Sequence, residues 1–335
     1  FEKLSVVFKD ALRKGYISQN TIDPFTLFKL PKKNSSKNKE LPKNEFYRFF
    51  IKDIAKIKEK NHPLRFLSFI RAKNMFLFQF FAHGMRGGDM LRLKWGNLVD
   101  NNIHYTVQKT DKNHSVYMYD EIVQILRLFL PKPFKHLYYL SCHDEQFLVE
   151  NSVQFINECS NLTKDQVYKE LLDYGLSSKP AGILVDINIR QTKETDFNEQ
   201  ISLIRSIFPV LNKNDHIFLT DHINNRLKGE LTEDQVYAIF EYELAKYNRQ
   251  LKVVQENLGI SANLTSHIAR HTYTSQMLDV TDDVYAISRS LAHQNIQVTE
   301  NYLKTLDNQR VNKANEKLVQ RLRKGKFSFY TGDDG

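Results

Sequence analysis

The sequence predicts a mainly α-helical protein with one small antiparallel β-sheet, an α+β fold. Over most of the 335 residues, apolar side chains recur at the three- and four-residue spacing of helices. Between Trp95 and Tyr119 the spacing changes to alternation around a polar turn, which is typical of a β-hairpin. Hydrophobic residues make up 41% and charged residues 26%, which excludes collagen-like, low-complexity and disordered chains.

The chain opens with a predicted helix and a basic linker. Within residues 1–18, Leu4, Phe8 and Leu12 fall on one helical face, and Gly15 is typical of a helix end. Residues 31–43 combine polar residues and prolines with five lysines, namely Lys32, Lys33, Lys37, Lys39 and Lys43. Such a segment cannot bury enough apolar surface to fold alone, so we expect a linker here.

Helices are predicted from about residue 41 to residue 82, first a short one capped at Asn44 and then a long apolar one from Leu64. The apolar stripe of the long helix is predicted to be core and contains Leu77, Phe78, Phe80 and Phe81. The longest apolar run, residues 75–82, is less than half of the roughly 20 residues that a membrane span requires, and Gln79 interrupts it. We therefore expect no membrane crossing.

Two later stretches, residues 162–168 and residues 231–237, match at six of seven positions. Each places a glutamine three residues after a threonine, which is the capping-box arrangement. We interpret them as two independently capped helices, with an internal repeat as the alternative. Residues 181–189 form a weaker candidate for a strand.

The charge and cysteine content indicate the kind of partner and the cellular location to expect. Residues 1–140 carry a net charge of +14 and residues 141–250 carry −7, within a total of +9. This asymmetry suggests that a polyanion binds the basic face of the protein and is repelled by an acidic face. A solvated lysine-rich surface explains the charge equally well. The two cysteines, Cys142 and Cys159, are too few for a disulfide framework or a zinc site, so we expect a reducing, cytoplasmic location. Because the sequence begins at Phe1 without a signal-peptide pattern, we expect it to be part of a longer chain.

Four short motifs contain the residues whose side chains are suited to catalysis. They span residues 84–95 (GMRGGDMLRLKW), 107–111 (VQKTD), 266–274 (SHIARHTYT) and 288–304 (SRSLAHQNIQVTENYLK). Together they supply Arg86, Lys109, His267, Arg270, His293 and Tyr302.

These residue types suit phosphodiester chemistry without a metal. Arginine forks bind the non-bridging oxygens, which gain negative charge as a pentacoordinate phosphorus forms. A tyrosine hydroxyl can attack phosphorus and leave again as a phenolate, so the ester stores the bond energy for rejoining. Histidines can take the tyrosine proton near neutral pH, and a lysine can protonate the departing sugar oxygen.

The order Arg, Lys, HxxR, His, Tyr resembles the tyrosine recombinases, the phage-integrase superfamily, whose catalytic domain is similar to that of type IB topoisomerases. The resemblance covers about residues 1–325, and its most specific parts are the HxxR box and the nine-residue spacing from His293 to Tyr302. It implies that Arg86, Arg270 and His293 hold the scissile phosphate. Tyr302 would attack this phosphate to give a 3′-phosphotyrosyl link and a free 5′-hydroxyl.

The resemblance implies supporting roles for three further side chains. His267 would assist proton transfer from the nucleophile, and Lys109 would be the general acid toward the 5′ oxygen, with Lys112 as the substitute. Asp89 would orient the site. Because Gly87 and Gly88 would each cost about 1 kcal/mol within a helix, we expect the helix after Arg86 to begin at Asp89, as its cap.

The resemblance also implies a domain organisation and partners. Residues 1–30 would end a helical core-binding domain, and residues 44–330 would form a catalytic domain of the DNA breaking-rejoining enzyme fold, with an acidic insertion at about 141–230. The partner would be double-stranded DNA, on which a homo-tetramer assembles, with a monomer as the alternative without DNA. In view of the site that it precedes, the basic linker is expected to bind DNA phosphates through its five lysines. The segment after Tyr302 would pack into a neighbouring protomer or fold back on its own domain.

No metal or other cofactor is implied. His267 and His271 have the i, i+4 spacing of a zinc pair, but the glutamate of an HExxH site is missing, which argues against zinc. The expected function is site-specific recombination or integration of a mobile element. A type IB-like topoisomerase and a non-catalytic DNA-binding regulator that keeps the fold are the alternatives.

Overall fold

A computed structural model describes residues 2–18, 20–27, 40–51, 63–141, 162–189, 197–281 and 283–292. The chain divides into two compact units, Phe1–Lys37 and Asn38–Gly335. The first unit contains α1 (Glu2–Arg13) and α2 (Pro24–Leu27), between which the rings of Phe8 and Phe25 meet edge to face at 5.8 Å. Gly15 follows α1 with φ +75°, a left-handed conformation that favours glycine, so the predicted first helix and its end are confirmed.

The second unit begins with α3 (Lys43–Ile51) and the long α4 (Pro63–Phe81). A helix capped at Asn44 would begin at Glu45, so the observed helix begins two residues earlier than predicted. Leu77 and Phe78 are buried as expected, whereas Phe80 and Phe81 are half-buried and pack against the edges of the core. Among the helices that the structure describes, none combines the length and the apolar character needed to cross a bilayer.

The predicted hairpin is confirmed and belongs to a three-stranded antiparallel sheet. Its strands follow one another in the order β1 (Leu98–Val99), β2 (Asn102–Val107) and β3 (Lys112–Tyr117). Val107 pairs with Lys112 and Ile103 pairs with Val116. Because Ile103, Val107 and Val116 point to one face and are buried there, the alternation in the sequence sets both the register and the buried face.

One short helix precedes the sheet, and further helices follow it through the acidic middle of the chain. They are α5 (Gly87–Leu91, before the sheet), α6 (Asp120–Leu126), α7 (Lys132–Ser141), α8 (Lys164–Asp173), α9 (Ser178–Ile189) and α10 (Phe197–Ile207). Their buried residues, among them Val167, Leu171 and Ile204, belong to the same hydrophobic cluster as the core around α4. This part of the chain therefore shares the main core.

The strand predicted over residues 181–189 is wrong, because these residues form most of α9. β-branched residues favour a strand locally, but α9 packs against both α7 and α8, and Ala181 and Val185, four residues apart, are buried. Pro180 lies in the first turn, where its missing N–H breaks no helical hydrogen bond. Burial of a helical face thus outweighs the local preference.

The last helices complete the unit. They are α11 (Asp221–Leu227), α12 (Glu233–Leu258), α13 (Ser266–Val280) and α14 (Val284–Ser290). Both predicted capping boxes are confirmed, Thr163 with Gln166 before α8 and Thr232 with Gln235 before α12. Both α12 and α13 pack against α4, which brings the start of α13 beside the loop that follows α4.

Candidate active site

A cavity of about 520 Å³ lies where α5, the β2–β3 turn, α12 and the start of α13 meet. Its lining includes Arg86, Asp89, Lys109, Tyr237, His267 and Arg270. Five of the residues singled out in the sequence, from three distant motifs, thus share one cavity. His293 and Tyr302 lie outside the described residues, as do Lys32, Lys33, Lys37 and Lys39.

Arg86 stands at the N-cap of α5, so the expectation that this helix begins at Asp89 is wrong. The helix includes both glycines because Gly87 is pressed against two other elements. A Cβ at Gly87 would lie 2.8 Å from Leu244 Cδ1 and 2.9 Å from Ser266 Cβ. The close approach of α12 and α13 therefore requires glycine at this position, and the packing offsets its helical cost.

Asp89 joins the two sides of the cavity. Its side chain is buried; Oδ1 accepts a hydrogen bond from the Gln108 N–H at 3.1 Å, and Oδ2 lies 3.8 Å from Arg86 Nη1. Burial raises the pKa of Asp89, against the opposing effects of the Gln108 N–H and Arg86. The carboxylate thus links Arg86 to the turn that carries Lys109.

Arg270 is 4% exposed and its guanidinium is held by backbone carbonyls. Nη1 donates to the Gly84 oxygen at 2.9 Å and Nη2 donates to the Leu291 oxygen at 2.5 Å. Gly84 has φ +64°, and a Cβ there would lie 3.2 Å from Arg270 Cα. Two backbone segments therefore fix the orientation of this cation at the back of the cavity.

The turn that holds Arg270 also leads to His293. Leu291, whose carbonyl accepts the bond from Arg270, is followed by Ala292 with φ +50°. This left-handed conformation favours glycine, although alanine stands at this position. The described chain thus reaches the Arg270 guanidinium two residues before His293.

His267 lies in the first turn of α13 at the exposed rim of the cavity. Burial lowers the pKa of its imidazole, and the neighbouring Arg270 and Arg86 lower it further. A ring that is neutral at pH 7 can accept a proton. Across the described part of the chain, no three His, Cys, Asp or Glu side chains form a group that could hold a metal ion.

The two candidate lysines of the hairpin occupy different positions. Lys109 lies in the turn and lines the cavity, whereas Lys112 is the first residue of β3, opposite Val107. The one described lysine of the basic linker, Lys43, begins α3 and forms an ion pair with Asp279 at 2.7 Å. This pairing offsets part of the charge that Lys43 offers to a phosphate.

Sequence reasoning missed Gln79 as a member of the site. Its buried Nε2 donates to the Met85 oxygen at 2.7 Å and to the Ser266 oxygen at 3.2 Å, while Oε1 accepts from the Tyr247 hydroxyl at 2.8 Å. One amide thereby fixes the backbone beside Arg86 and beside His267. A polar residue within an apolar helix was the available signal, because buried polar groups require partners.

No family model matches the chain. Curated relatives include the tyrosine recombinase XerC of Rickettsia canadensis (strain McKiel) and that of Rickettsia massiliae (strain Mtu5), each 34% identical over 59 residues. The XerC of Rickettsia peacockii (strain Rustic) is 31% identical over 65 residues. These alignments cover 18% to 19% of this chain and 19% to 21% of the relatives. The similarity supports a relationship to the tyrosine recombinase family. The chain spans about a fifth of the length of the curated relatives it matches.

Proposed function

We propose that this chain is a site-specific DNA recombinase or integrase that cuts and rejoins strands through a 3′-phosphotyrosyl intermediate. One observation carries the proposal: Arg86, Lys109 and the two residues of the HxxR box, distant in sequence, line a single cavity. The partial similarity to tyrosine recombinases supports the same conclusion. Double-stranded DNA is the proposed partner.

The proposed reaction transfers a phosphoryl group to and from Tyr302. The phenolic oxygen forms a bond to phosphorus while the bond from phosphorus to the 5′ oxygen breaks. His267 takes the proton from Tyr302, and Lys109 gives a proton to the departing 5′ oxygen. Rejoining reverses each step, with the phenolate as the leaving group.

Arg86, Arg270 and His293 hold the phosphate in this proposal. Hydrogen bonds from charged donors contribute about 1.5–3 kcal/mol each and more where water is excluded. Arg270 is already oriented by the Gly84 and Leu291 carbonyls, and Arg86 lies beside the Asp89 carboxylate. Donors that need no reorganisation stabilise the charge that develops on the non-bridging oxygens.

The direct test is a suicide duplex with a nick near the cleavage position, which traps the covalent protein–DNA adduct. The Tyr302→Phe variant should give no adduct while it binds DNA with affinity close to that of the unaltered chain. Tyr285→Phe is the matched control, since Tyr285 is an exposed tyrosine of α14, and it should form the adduct normally. An adduct that persists in Tyr302→Phe would refute the proposed nucleophile.

The same preparation separates the alternatives. Relaxation of supercoiled plasmid by a monomer, without exchange between two duplexes, would identify a type IB-like topoisomerase. Specific DNA binding without any adduct would identify a non-catalytic regulator. The expected result is strand exchange between two duplexes by a tetramer. Light scattering on the complex measures the number of protomers. Sequencing of covalently captured fragments would then give the target site.

A further inference from the structure

A second cavity of about 400 Å³ lies within the second unit and shares no lining residue with the candidate active site. Arg71 of α4 and Lys135 of α7 face it, with Asp221 at the start of α11. Its volume falls in the range of about 300–1,000 Å³ that is usual for small-molecule sites.

The two cations are poorly compensated. The ammonium of Lys135 makes no hydrogen bond or ion pair with any residue that the structure describes. The Arg71 guanidinium lies 4.7 Å from the Phe129 ring, and its Nη2 reaches the Phe218 oxygen only at 3.4 Å. Burial, with a smaller effect of the nearby Arg71, lowers the pKa of Lys135 to about 8, against the opposing attraction of Asp221.

The carboxylates of the cavity do not balance these charges. Asp215 is engaged by Lys228, at 2.8 Å from its ammonium. Asp221 attracts both Arg71 and Lys135. Within the described chain, however, it forms an ion pair of 4 Å or less with neither of them. Of the two carboxylates in the lining, Asp221 remains for the two partly desolvated cations, while Glu243, outside the lining, also attracts Arg71. An incompletely compensated charge away from water is costly.

Aromatic rings form part of the remaining wall. Trp95 and Phe129 are buried, with 3% and 6% of their surface exposed, and Tyr174 adds a third ring. The Tyr174 hydroxyl accepts a hydrogen bond from the Asn212 N–H at 3.2 Å. The cavity therefore offers a cationic end and a flat apolar side, the combination that small anionic ligands use.

We propose that this cavity binds a phosphate group, either free or on a small organic molecule whose body lies against Trp95 and Phe129. The arginine fork and the lysine point charge together suit a phosphate of one or two negative charges. The site is separate from the proposed DNA chemistry and does not depend on it.

The test is isothermal titration of the full chain with inorganic phosphate, adenosine 5′-monophosphate and adenosine. The two phosphates should bind, and adenosine should bind at least roughly tenfold more weakly than the monophosphate. Tighter binding of the monophosphate than of inorganic phosphate identifies an organic ligand, and equal affinity identifies free phosphate. No binding of either phosphate at up to about 10 mM overturns the proposal.

Variants assign the binding to this cavity. Lys135→Gln should weaken phosphate binding roughly tenfold or more, while Lys135→Arg, which keeps the charge, should retain it. Lys164→Gln is the matched control, since Lys164 is an exposed lysine of α8, and it should bind as the unaltered chain does. Normal binding in Lys135→Gln would place the phosphate elsewhere and overturn the proposal.

Discussion

Lys109 and Lys112 differ in their position relative to the candidate site. Both are exposed lysines within four positions of one another, so their local sequence does not distinguish them. Lys109 lines the cavity, and its neighbour Gln108 is anchored by the buried Asp89 carboxylate. Lys112 begins a strand instead. The anchored turn makes Lys109 the better candidate for the general acid.

Lys109→Ala should therefore reduce cleavage of an ordinary duplex by about 10²–10⁴-fold, the usual contribution of a general acid. A substrate with a 5′-bridging phosphorothiolate should restore cleavage, because its sulfur leaving group needs no proton. Lys112→Ala is the matched control and should cleave both substrates normally. Gel quantification of the adduct over time measures both effects. Failure of the phosphorothiolate to rescue Lys109→Ala would place the acid elsewhere.

Helix α5 shows how packing between elements determines where a helix begins. Because glycine is unfavourable within a helix, Gly87 and Gly88 predicted a start at Asp89. The helix starts at Gly87 instead, where α12 and α13 approach it closely. The two glycines are not equivalent. A Cβ at Gly88 would find its nearest atom at 3.6 Å, an ordinary contact with the Arg92 side chain.

Gly87→Ala should lower the free energy of unfolding by about 1–3 kcal/mol, because the added methyl overlaps Ser266 and Leu244. Gly88→Ala, the matched control, should be neutral or stabilising by up to about 1 kcal/mol, since alanine is the better helix former. Urea denaturation followed by circular dichroism measures both values. Equal effects of the two substitutions would contradict the packing explanation.

At the scale of the whole molecule, several partly buried histidines couple stability to pH. Burial lowers the pKa of His83 to about 4, with a smaller effect of His114, and burial also lowers the pKa of His114 and His216. Below pH 6.5 the unfolded chain takes up protons that the folded chain does not bind. Stability is therefore lost as the pH falls from about 6.5 toward 4.

The unfolding free energy should decrease between pH 7 and pH 5, with about 1–2 kcal/mol of the loss due to His83. His83→Asn should remove that share, and asparagine tolerates the φ of +56° at this position. His222→Asn, at an exposed histidine of α11, should leave the pH dependence unchanged. Urea denaturation at each pH provides the measurement, and identical pH profiles for His83→Asn and the unaltered chain would exclude His83.

The uneven charge of the whole chain should appear as salt-dependent DNA binding. The logarithm of the affinity should fall linearly with the logarithm of salt, by about 0.9 per neutralised phosphate. Replacing Lys32, Lys33, Lys37 and Lys39 together with glutamine should reduce this slope. Lys43→Gln should change it less, because Asp279 already pairs with Lys43. Fluorescence anisotropy at several salt concentrations is the measurement, and an unchanged slope in the fourfold variant would rule out the linker as a phosphate contact.

Features that depend on neighbours in the chain could be predicted from the sequence. The alternation from Ile103 to Val116 fixed the hairpin, and the spacing from Thr232 to Gln235 fixed a helix start, because both act over a few residues. The order of the motifs that suggested the chemistry can also be seen in the sequence without the structure. His293 and Tyr302 rest on that order alone.

Features that depend on distant partners could be identified only in the folded chain. The helix at residues 178–189, the start of α5 at Gly87, and the links that Asp89 and Gln79 make between motifs all result from contacts with segments far away in sequence. Local propensity differs by at most about 1 kcal/mol per residue, and burial of one side chain outweighs it. Which residues meet in space is therefore set by packing of the whole second unit.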